Sequence, residues 1–595
     1  MRALWAGMVL AGTAAAAPGG DPAPDFALPD LEGRSVELRS FRDRKAVVLL
    51  FLGIECPRSR AAEPRLADLA ASYGPRGVAF LAINSNWNES AREIAEYVRR
   101  AAFPIPVLKD EDGRVADLYK VEIQPTAVVI DAAGTIRYRG LIDDHKVEEF
   151  VRRRYLRDAI EAVLSGADVA VPATEPEGCA VRRRGKARSA EVTYARDVAP
   201  ILYRNCVSCH RPGQVGPFSL ETYEQAAAWS REIALEAKRR RMPPWKPVSN
   251  AGMYYNERRL TDEEIAVLEK WHRAGAPEGN PAEAPPPPRF SDQWMLGKPD
   301  AVLKAQGGFV LGPRGRDEYR CYVLENPFDE DKWVVGVEFR PGNPRAVHHI
   351  IGYLDMTEQA VRKDQADPEP GYRSNGAGPN IVPSGSLSGW APGNMPRMLP
   401  PGVGRRVRKG ERIVLETHYH KTGRPEKDEG AEVALYLAKE PVEKMLHVHM
   451  LANVFLRIPP GAKDHKVTTT YTVPVDVTAY DVMPHMHLLG RKIAVTATFP
   501  DGKIRDLVRI EDWDFAWQET YQFREPWRLP KGTKLRLEAF YDNSAENRNN
   551  PSDPPRWVKW GEQTTDEMCI AFIHYTFDGE DRRRDRSEGG ERKGP

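Results

Sequence analysis

The stretch PHMHLLGRKIAVTATFPDG, residues 484–502, places a histidine pair directly before an alternating strand and a turn. The strand KIAVTATF has the period of two that is expected where one face of a sheet is buried, and Pro500-Asp501-Gly502 follows it as a turn signal. The same alternating pattern recurs in VVGVEFR at 334–340, RIVLETHYH at 412–420 and TKLRLEAFY at 533–541. We therefore predict that residues 294–578 are all-β, as two jelly-roll-type sandwiches over 294–440 and 441–578.

Pairs of histidines recur in this β region: His348 with His349, His418 with His420, and His485 with His487. Because residues i and i+2 of a strand share a face, an H-x-H pair can hold one metal ion between two imidazoles. An adjacent pair needs a local twist or bulge to do the same. A lone histidine in a strand is more often a structural or surface group, but three clustered pairs predict metal binding.

The motifs around these pairs resemble copper type II monooxygenases, the family of peptidylglycine α-hydroxylating monooxygenase and dopamine β-monooxygenase. The resemblance lies in VHHI (347–350), LETHYH (415–420), PHMHLLG (484–490) and TTDEMCIAFIHY (564–575). It implies two copper ions, the first held by His348, His349 and His418, the second by His485, His487 and Met568. Imidazole and thioether donors also suit copper better than zinc.

Other histidines have no ligand role in the family pattern. His420 is implied to be a neighbour of the first copper. His447 and His449 form a further H-x-H, for which a structural or adventitious role is expected.

The resemblance implies a reaction as well as a metal. Family members use O₂ and two electrons, supplied by ascorbate, to hydroxylate an unactivated C–H bond. Oxygen activation and hydrogen abstraction are implied at the copper of His485, His487 and Met568, while the other copper stores the second electron.

Departures from the family limit the expected substrate. Peptide-hydroxylating members carry an arginine two residues before the H-x-H, and an asparagine and a tyrosine after the methionine. Here these positions are Met483, Ile570 and Phe572, so no carboxylate clamp is present and peptidylglycine is not expected. The family disulfides are mostly missing, since Cys569 and Cys321 are the only cysteines of this half.

CVSCH, residues 206–210, is one copy of the C-x-x-C-H run that attaches a c-type haem. Cys206 and Cys209 would bond to the haem and His210 would be an axial ligand to its iron. A zinc knuckle would require a second C-x-x-C, which the sequence lacks. In RRRMPPW, Met242 is the candidate sixth ligand, with Met253 as the alternative. An all-α domain resembling small c-type cytochromes is therefore predicted over 192–280, as an internal electron donor to the first copper.

The first part of the chain, residues 22–170, alternates strands and helices and predicts a three-layer α/β domain. It resembles thioredoxin-like redoxins of the alkyl hydroperoxide reductase and thiol-specific antioxidant type. The resemblance lies in DFALPDLEGRSVELRSF (25–41), FLGIECPRS (51–59) and QPTAVVID (124–131), whose Pro125 is expected to be cis.

The candidate reactive residue of this domain is Cys56, at the N-terminus of a helix, where the dipole stabilises a thiolate. The domain has C-x-x-S in place of C-x-x-C, and Gly53 where peroxiredoxins place a threonine. Cys56 is therefore either a reactive thiol or inert, and Cys179, beyond the domain, is a candidate to resolve an oxidised Cys56 as a disulfide.

The remaining segments indicate export and linkage. Residues 1–17 have the charged start, apolar run and small residues of a cleaved signal peptide, which predicts a periplasmic or secreted protein. No later segment is apolar enough to span a bilayer. Linkers are predicted at 171–191, which is basic, and 281–293, which is proline-rich, with a charged tail at 579–595.

At 595 residues the chain is too long for one core, and 86 basic against 85 acidic residues give no reason to expect nucleic acid. The sequence thus predicts an exported multidomain oxidoreductase, with O₂, a small organic substrate and redox proteins as partners. Two alternatives remain: a haem–copper electron-transfer or redox-sensing protein without oxygenase activity, or a thiol peroxidase or disulfide reductase centred on Cys56.

Overall fold

A computed structural model describes residues 21–183, 191–212, 214, 216–288, 294–313, 315–375, 378–391, 394–423, 425–561 and 563–582. The predicted signal peptide, the basic run at 184–190, the end of the proline-rich linker and most of the charged tail lie outside these residues. The chain forms two compact units, residues 1–184 and 185–595. Among the described residues, no helix combines the length and apolar character needed to cross a membrane.

The first unit contains strands and helices in alternation. They are β1 (Ala27–Pro29), β2 (Ser35–Glu37), β3 (Ala46–Phe51), α1 (Pro57–Tyr73), β4 (Val78–Asn84), α2 (Ala91–Ala101), β5 (Val107–Lys109), α3 (Arg114–Leu118), β6 (Ile123–Gln124), β7 (Thr126–Asp131), β8 (Ile136–Gly140), α4 (Tyr155–Ser165) and β9 (Cys179–Ala180).

The predicted three-layer α/β architecture is confirmed. The central sheet has the order β5-β4-β3-β7-β8, with β3, β4 and β5 parallel and β7 and β8 antiparallel. Alternate residues of β3 face opposite ways: Val48 packs in a core with α1 and α4, and Leu49 packs in another with α3. The Gln124–Pro125 peptide bond is cis, as expected.

The first unit extends beyond the predicted boundary at residue 170. β9 pairs with β6, so that Cys179 lies opposite Gln124. The segment predicted as a linker over 171–191 therefore contributes a strand to the first unit, because two residues pair here without the long apolar run that a sequence pattern requires.

The second unit begins with helical residues. These are α5 (Ala199–Asn205), preceded by a π-helical turn at Tyr194–Val198, then α6 (Tyr223–Ala228), α7 (Ser230–Lys238) and α8 (Asp262–Arg273). Thr261 caps α8 in a reciprocal capping box with Glu264, as its spacing predicts. Ile265, Leu268 and Trp271 form the buried face of α8.

Residues 245–256 attach the helical region to the second sandwich. Trp245 and Tyr254 belong to the apolar core of that sandwich. The backbone adds isolated bridges from Pro247 to Ile510 and from Tyr254 to Phe523. The segment after α7 thus contributes to the core of the second sandwich and joins the helical region to it.

The first sandwich contains strands β10–β21 and helix α9. They are β10 (Ala301–Lys304), β11 (Phe309–Leu311), β12 (Glu318–Leu324), β13 (Lys332–Arg340), β14 (Val347–Asp355), α9 (Gln359–Ala366), β15 (Tyr372–Ser374), β16 (Gly385–Trp390), β17 (Val403–Val407), β18 (Arg412–Tyr419), β19 (Glu426–Asp428), β20 (Glu432–Leu437) and β21 (Lys444–Met445). Sheets of order β10-β20-β13-β17-β21 and β15-β12-β18-β14-β16 contribute to one apolar core.

The second sandwich contains strands β22–β31. They are β22 (His447–Ala452), β23 (Arg457–Ile458), β24 (His465–Thr472), β25 (Val477–His485), β26 (Gly490–Thr498), β27 (Ile504–Ile510), β28 (Tyr521–Leu529), β29 (Lys534–Tyr541), β30 (Val558–Lys559) and β31 (Ile570–Phe577). Sheets of order β22-β31-β25-β28 and β24-β29-β26-β27 enclose the core that also receives Trp245. The predicted large all-β region is confirmed.

Candidate functional site

Three predicted metal ligands of the first sandwich lie together. His348 and His349 are on β14, and His418 is on the neighbouring strand β18. One nitrogen from each imidazole lies within 4.8 Å of the other two. The Nδ1 of His349 is 3.3 Å from that of His348 and 3.4 Å from that of His418. Three imidazole nitrogens therefore converge on a space of metal-ion size.

A local irregularity lets adjacent histidines share this space. The pairing of β14 with β18 shifts register between Val347 and His349, which sets His349 opposite His418. Regular alternation would send two successive side chains to opposite faces, and the shift removes that conflict.

Asp317 fixes the orientation of His418. Its carboxylate lies 2.9 Å from Nε2 of His418, which leaves Nδ1 directed at the other two imidazoles. Burial opposes ionisation of Asp317, but the hydrogen bond and nearby imidazoles hold its carboxyl pKa below the usual value. Tyr319 stacks on His418 at 4.2 Å between ring centroids. Such an outer partner sets which ring nitrogen is available to a metal.

The electrostatics of this cluster favour neutral imidazoles. Removal from bulk water, followed by the neighbouring imidazoles, lowers the pKa of His348 and His349 well below the ordinary value. Neutral imidazole is the form that binds metals. His420 lies beside the cluster, 6.3 Å from the His348 ring, and is not among the converging ligands.

The second pair occupies the other sandwich. His485 ends β25, and His487 lies in the following loop, with 5.0 Å between ring centroids. Nδ1 of His485 contacts the Gln518 side-chain oxygen, and Nδ1 of His487 lies 3.2 Å from the Asp566 carbonyl oxygen. Burial lowers the pKa of His485 to about 4 and that of His487 to about 3. Both imidazoles are therefore neutral, with Nε2 on the ring edge away from these contacts.

Glu567 joins the histidine loop to the methionine segment. Its fully buried carboxyl group accepts backbone N–H bonds from His487 at 2.9 Å, Leu489 at 2.6 Å and Met568 at 3.1 Å. Burial raises the pKa of Glu567 to about 8, although these N–H groups oppose the shift. No sequence motif singles out this residue, and its position beside Met568 is the signal that points to it.

Both groups line one cleft of about 780 Å³. The lining includes every proposed copper ligand, His348, His349, His418, His485, His487 and Met568. Apolar side chains dominate the rest, among them Met483, Ile570 and Phe572. The charged residues Arg405 and Asp481 also line the cleft. The carboxylate of Asp481 lies 2.6 Å from Nδ1 of His574.

Residues 511–520, called the bridging loop below, contact both histidine groups. Phe515 stacks on His348 at 5.4 Å and meets the edge of His487 at 5.7 Å. Gln518 contacts His485, and its neighbour Glu519 accepts two 2.8 Å hydrogen bonds from Arg258 of the helical region. The acidic and aromatic run DWDFAWQE over 512–519 is the sequence signal that points to this loop.

The C-x-x-C-H segment follows α5 directly. Cys206, Cys209 and His210 are half-buried. Nδ1 of His210 lies 3.1 Å from the Phe218 carbonyl oxygen, and a side chain on Gly216 would meet Nδ1 of His210 at 2.9 Å. The His210 ring thus contacts the Phe218 carbonyl on one side and lies close to the Gly216 backbone on the other.

The two candidate methionines of this region differ in surroundings. Met242 is half-buried in the segment that follows α7, before the buried Pro243. Met253 packs against the core of the second sandwich instead. His272, on α8, lies 3.1 Å from the Ser230 hydroxyl, through its Nδ1.

The remaining H-x-H pair lies away from the cleft. Val448 and Met450 line the cleft, so alternation turns His447 and His449 to the other face of β22. There His447 stacks on Tyr575 and His449 lies 4.0 Å from the Tyr471 ring centroid.

In the first unit, Cys56 is buried as the N-cap residue of α1, the position predicted for it. Its Sγ lies 2.6 Å from Sγ of Cys179. The two thiols that the sequence left unconnected therefore meet.

Comparison with known proteins supports two of the predicted regions. Residues 19–139 match the AhpC/TSA family, and residues 445–585 match the copper type II ascorbate-dependent monooxygenase, C-terminal domain. The thiol-disulfide oxidoreductase ResA of Halalkalibacterium halodurans is 34% identical over 134 residues, which cover 22% of this chain and 74% of that relative.

Two further relatives are named as a hydroxylase and a monooxygenase. Tyramine beta-hydroxylase of Caenorhabditis briggsae is 26% identical over 290 residues, covering 44% of this chain and 46% of that protein. DBH-like monooxygenase protein 1 of Homo sapiens is 22% identical over 360 residues, covering 54% and 56%. The chain spans about half the length of these two relatives. It belongs to the AhpC/TSA family through its first unit, and its C-terminal sandwich is similar to the C-terminal domain of copper type II ascorbate-dependent monooxygenases, so the chain is an oxidoreductase.

Proposed function

We propose that this protein is an exported copper monooxygenase that hydroxylates a small organic substrate with O₂ and receives electrons from a covalently attached haem. The observation that carries the proposal is the convergence of two imidazole groups, from different sandwiches, on one largely apolar cleft. The match of residues 445–585 to the copper family supports the same conclusion.

The first group fits copper by its donors. His348, His349 and His418 present imidazole nitrogens to one space, and imidazole is a favoured copper ligand. Asp317 holds His418 in the orientation that leaves Nδ1 available, which is the outer hydrogen bond usual for a ligating histidine.

The second group fits copper by a mixed donor set. Gln518 and the Asp566 carbonyl hold Nδ1 of His485 and His487, so that Nε2 is the nitrogen left for a metal. Met568 lines the same cleft and adds a thioether, a soft donor that favours Cu(I). Copper held by these residues would supply one-electron redox chemistry and a position for O₂.

The cleft residues select and position the substrate. Met483, Ile570 and Phe572 offer no charged clamp beside the second group, so an apolar C–H-bearing portion is favoured there. Asp481 is four residues before His485 on β25, about 13 Å along an extended strand. A polar end of the substrate would meet Arg405 and Asp481 while its apolar part lies against the histidines.

Copper loading and oxygen uptake test this proposal. Metal analysis of the purified protein is expected to give two coppers per chain, and addition of a reductant such as ascorbate is expected to start oxygen uptake. A protein that holds two coppers and takes up no oxygen with candidate substrates would favour the electron-transfer alternative.

The haem proposal rests on the C-x-x-C-H segment. Cys206 and Cys209 would form the two thioether bonds, with His210 as one axial ligand and Met242 as the other. The contact of Nδ1 of His210 with the Phe218 carbonyl leaves Nε2 for iron, and Met253 is engaged by the sandwich core, which favours Met242. A haem bound in this way would act as a one-electron carrier.

The bridging loop supports an internal electron route from haem to the first copper. Arg258 contacts Glu519 in this loop, and Phe515 of the same loop stacks on His348. The thiol-bearing first unit would supply reducing equivalents to the haem. Anaerobic stopped-flow mixing tests the route: a reduced haem that fails to reduce copper would refute it.

Export is part of the proposal because haem attachment and the predicted signal peptide point to the same compartment. N-terminal sequencing of protein recovered from a haem-attaching periplasm is expected to begin after residues 15–17. Recovery of the uncleaved chain from the cytoplasm, without haem, would contradict both.

A further inference from the structure

We propose that Cys56 and Cys179 are a redox pair that closes to an intramolecular disulfide by exchange with an external disulfide. The two sulfurs lie 2.6 Å apart, although the residues are separated by 123 positions in sequence. Both are thiols in the structure. A disulfide bond is about 2.05 Å long, so closure requires a movement of roughly half an ångström.

Cys179 takes the place of the second cysteine that a C-x-x-C motif would have at the start of the helix. Ser59 occupies the last position of C-P-R-S, and its hydroxyl accepts a hydrogen bond from the Gly53 N–H at 3.3 Å. Serine cannot form a disulfide, so the second sulfur must come from elsewhere. β9 supplies it, because its pairing with β6 sets Cys179 opposite Gln124.

The backbone around Cys179 is built for close approach. A side chain on Gly178 would put its Cβ 1.9 Å from the Gln124 carbonyl oxygen. The absence of a side chain there lets β9 lie directly against β6. The Cys56 Sγ itself lies 3.5 Å from the same Gln124 carbonyl.

A buried ion pair joins the two cysteine-bearing segments. Glu89 accepts backbone N–H bonds from Ile54 and Glu55, directly before Cys56, at 3.0 and 3.1 Å. The same carboxylate pairs at 2.8 Å with Arg182, three residues after Cys179, and both side chains are only 1% exposed. One carboxylate therefore positions both thiols, and a buried pair with further hydrogen bonds is costly to break.

The two thiols have different roles. Burial opposes ionisation of Cys56, but hydrogen bonds from Cys179 and Ser59 outweigh it and lower its pKa to about 6. Cys56 is therefore the thiolate, and Cys179 is the thiol that donates to it. The similarity of this unit to a thiol-disulfide oxidoreductase favours a disulfide as oxidant.

The exchange balances in two steps. The Cys56 thiolate attacks an external disulfide RS–SR, forms a mixed disulfide and releases one RS⁻. The Cys179 thiol loses its proton, its sulfur attacks Cys56, and the second RS⁻ leaves. Two electrons pass from the pair to the external disulfide, which becomes two thiols, and the reverse sequence reduces the pair. This chemistry does not depend on the proposed copper function.

Oxidation of the full-length protein with glutathione disulfide tests the proposal. Peptide mapping by mass spectrometry, after alkylation of free thiols, is expected to show Cys56 linked to Cys179 while the core residue Cys321 stays alkylatable after denaturation. In the Cys179→Ala variant, Cys56 is expected to stop at the mixed disulfide with glutathione. Its alkylation at pH 7 by iodoacetamide should also slow about tenfold, since the thiolate loses a donor.

Two results would overturn the proposal. One is a wild-type protein in which Cys56 remains bound to glutathione and Cys179 remains a thiol. The other is closure of the bond by hydrogen peroxide but never by glutathione disulfide, which would assign a peroxide as oxidant. Both readouts come from the wild-type chain, so they hold even if a variant fails to fold.

Discussion

The two imidazole groups of the cleft are built in different ways. His348, His349 and His418 come from two adjacent strands of one sheet, and a register shift brings the adjacent pair together. His485, His487 and Met568 come from a strand end, a loop and the segment before β31, and buried Glu567 joins the last two. A sheet positions ligands through its own pairing, whereas a loop site needs a dedicated buried acceptor.

The hydrogen-bond partners of the ligand imidazoles also differ between the two groups. The first group depends on a carboxylate, Asp317, which contacts one imidazole. The second depends on neutral acceptors, the Gln518 side chain and the Asp566 carbonyl, which leave the site without added negative charge. Of the two proposed copper sites, the first therefore has a carboxylate beside it that favours an oxidised ion, and the second has no such charge at its imidazoles.

The largest expected effect is that of removing a ligand imidazole from the first group. His349→Ala removes a converging imidazole and is expected to abolish binding of one copper and to lower oxygen uptake more than about 100-fold, beyond the effect typical of an outer partner. Metal analysis and an oxygen electrode measure both.

The matched control for that substitution is His420→Ala. This histidine lies beside the cluster but outside the convergent set. The variant is expected to keep two coppers and activity within a few-fold of wild type, and equal losses in both variants would disprove the ligand assignment.

Glu567→Gln tests the claim that the second group needs a buried acceptor. A glutamine presents one carbonyl oxygen to donors now shared by the two oxygens of the Glu567 carboxyl group, and its amide adds a donor to that pocket. The free energy of unfolding is expected to fall by about 3 kcal/mol, because buried N–H groups lose their partners. Thermal denaturation of the metal-free protein measures this.

The copper content of the Glu567→Gln variant shows whether the substitution acts on the second group alone. The first copper should remain while the second is lost. Glu525→Gln, at an exposed position, should change stability by less than about 0.5 kcal/mol. Loss of both coppers together would show that the two groups are not built independently.

Asp317→Asn is expected to act on the first group alone. The substitution keeps size but removes the charge beside Nε2 of His418, so affinity for the first copper should fall about 10- to 100-fold. Competition with a copper chelator measures the change. A parallel loss at the second copper would mean that Asp317 serves the whole cleft.

The smallest expected effect concerns the contact between the groups. Phe515→Leu keeps an apolar side chain but removes the ring that stacks on His348 and meets His487. Reduction of copper by the haem is expected to slow a few-fold, with copper content unchanged. Trp517→Leu, in the same loop, is the matched control, and an equal slowing would remove any special role of Phe515.

The sequence alone determined the periodicity of the helices and strands and the types of side chain available at each site. The alternation in β26 and β18, the parallel strands of the first unit, and the cap of α8 follow from local patterns that the structure keeps. The imidazole donors of the proposed copper groups and the haem-attachment segment could be identified because H-x-H and C-x-x-C-H carry their chemistry within a few residues.

Only the tertiary structure decided which distant groups meet. Asp317, Gln518 and Glu567 act on ligands 33 to 101 positions away, and Cys179 reaches Cys56 across 123 positions. Such pairings depend on sheet order and burial, which no local period encodes. The chemistry of each site was thus present in the sequence, whereas its orientation, protonation and partners came from the fold.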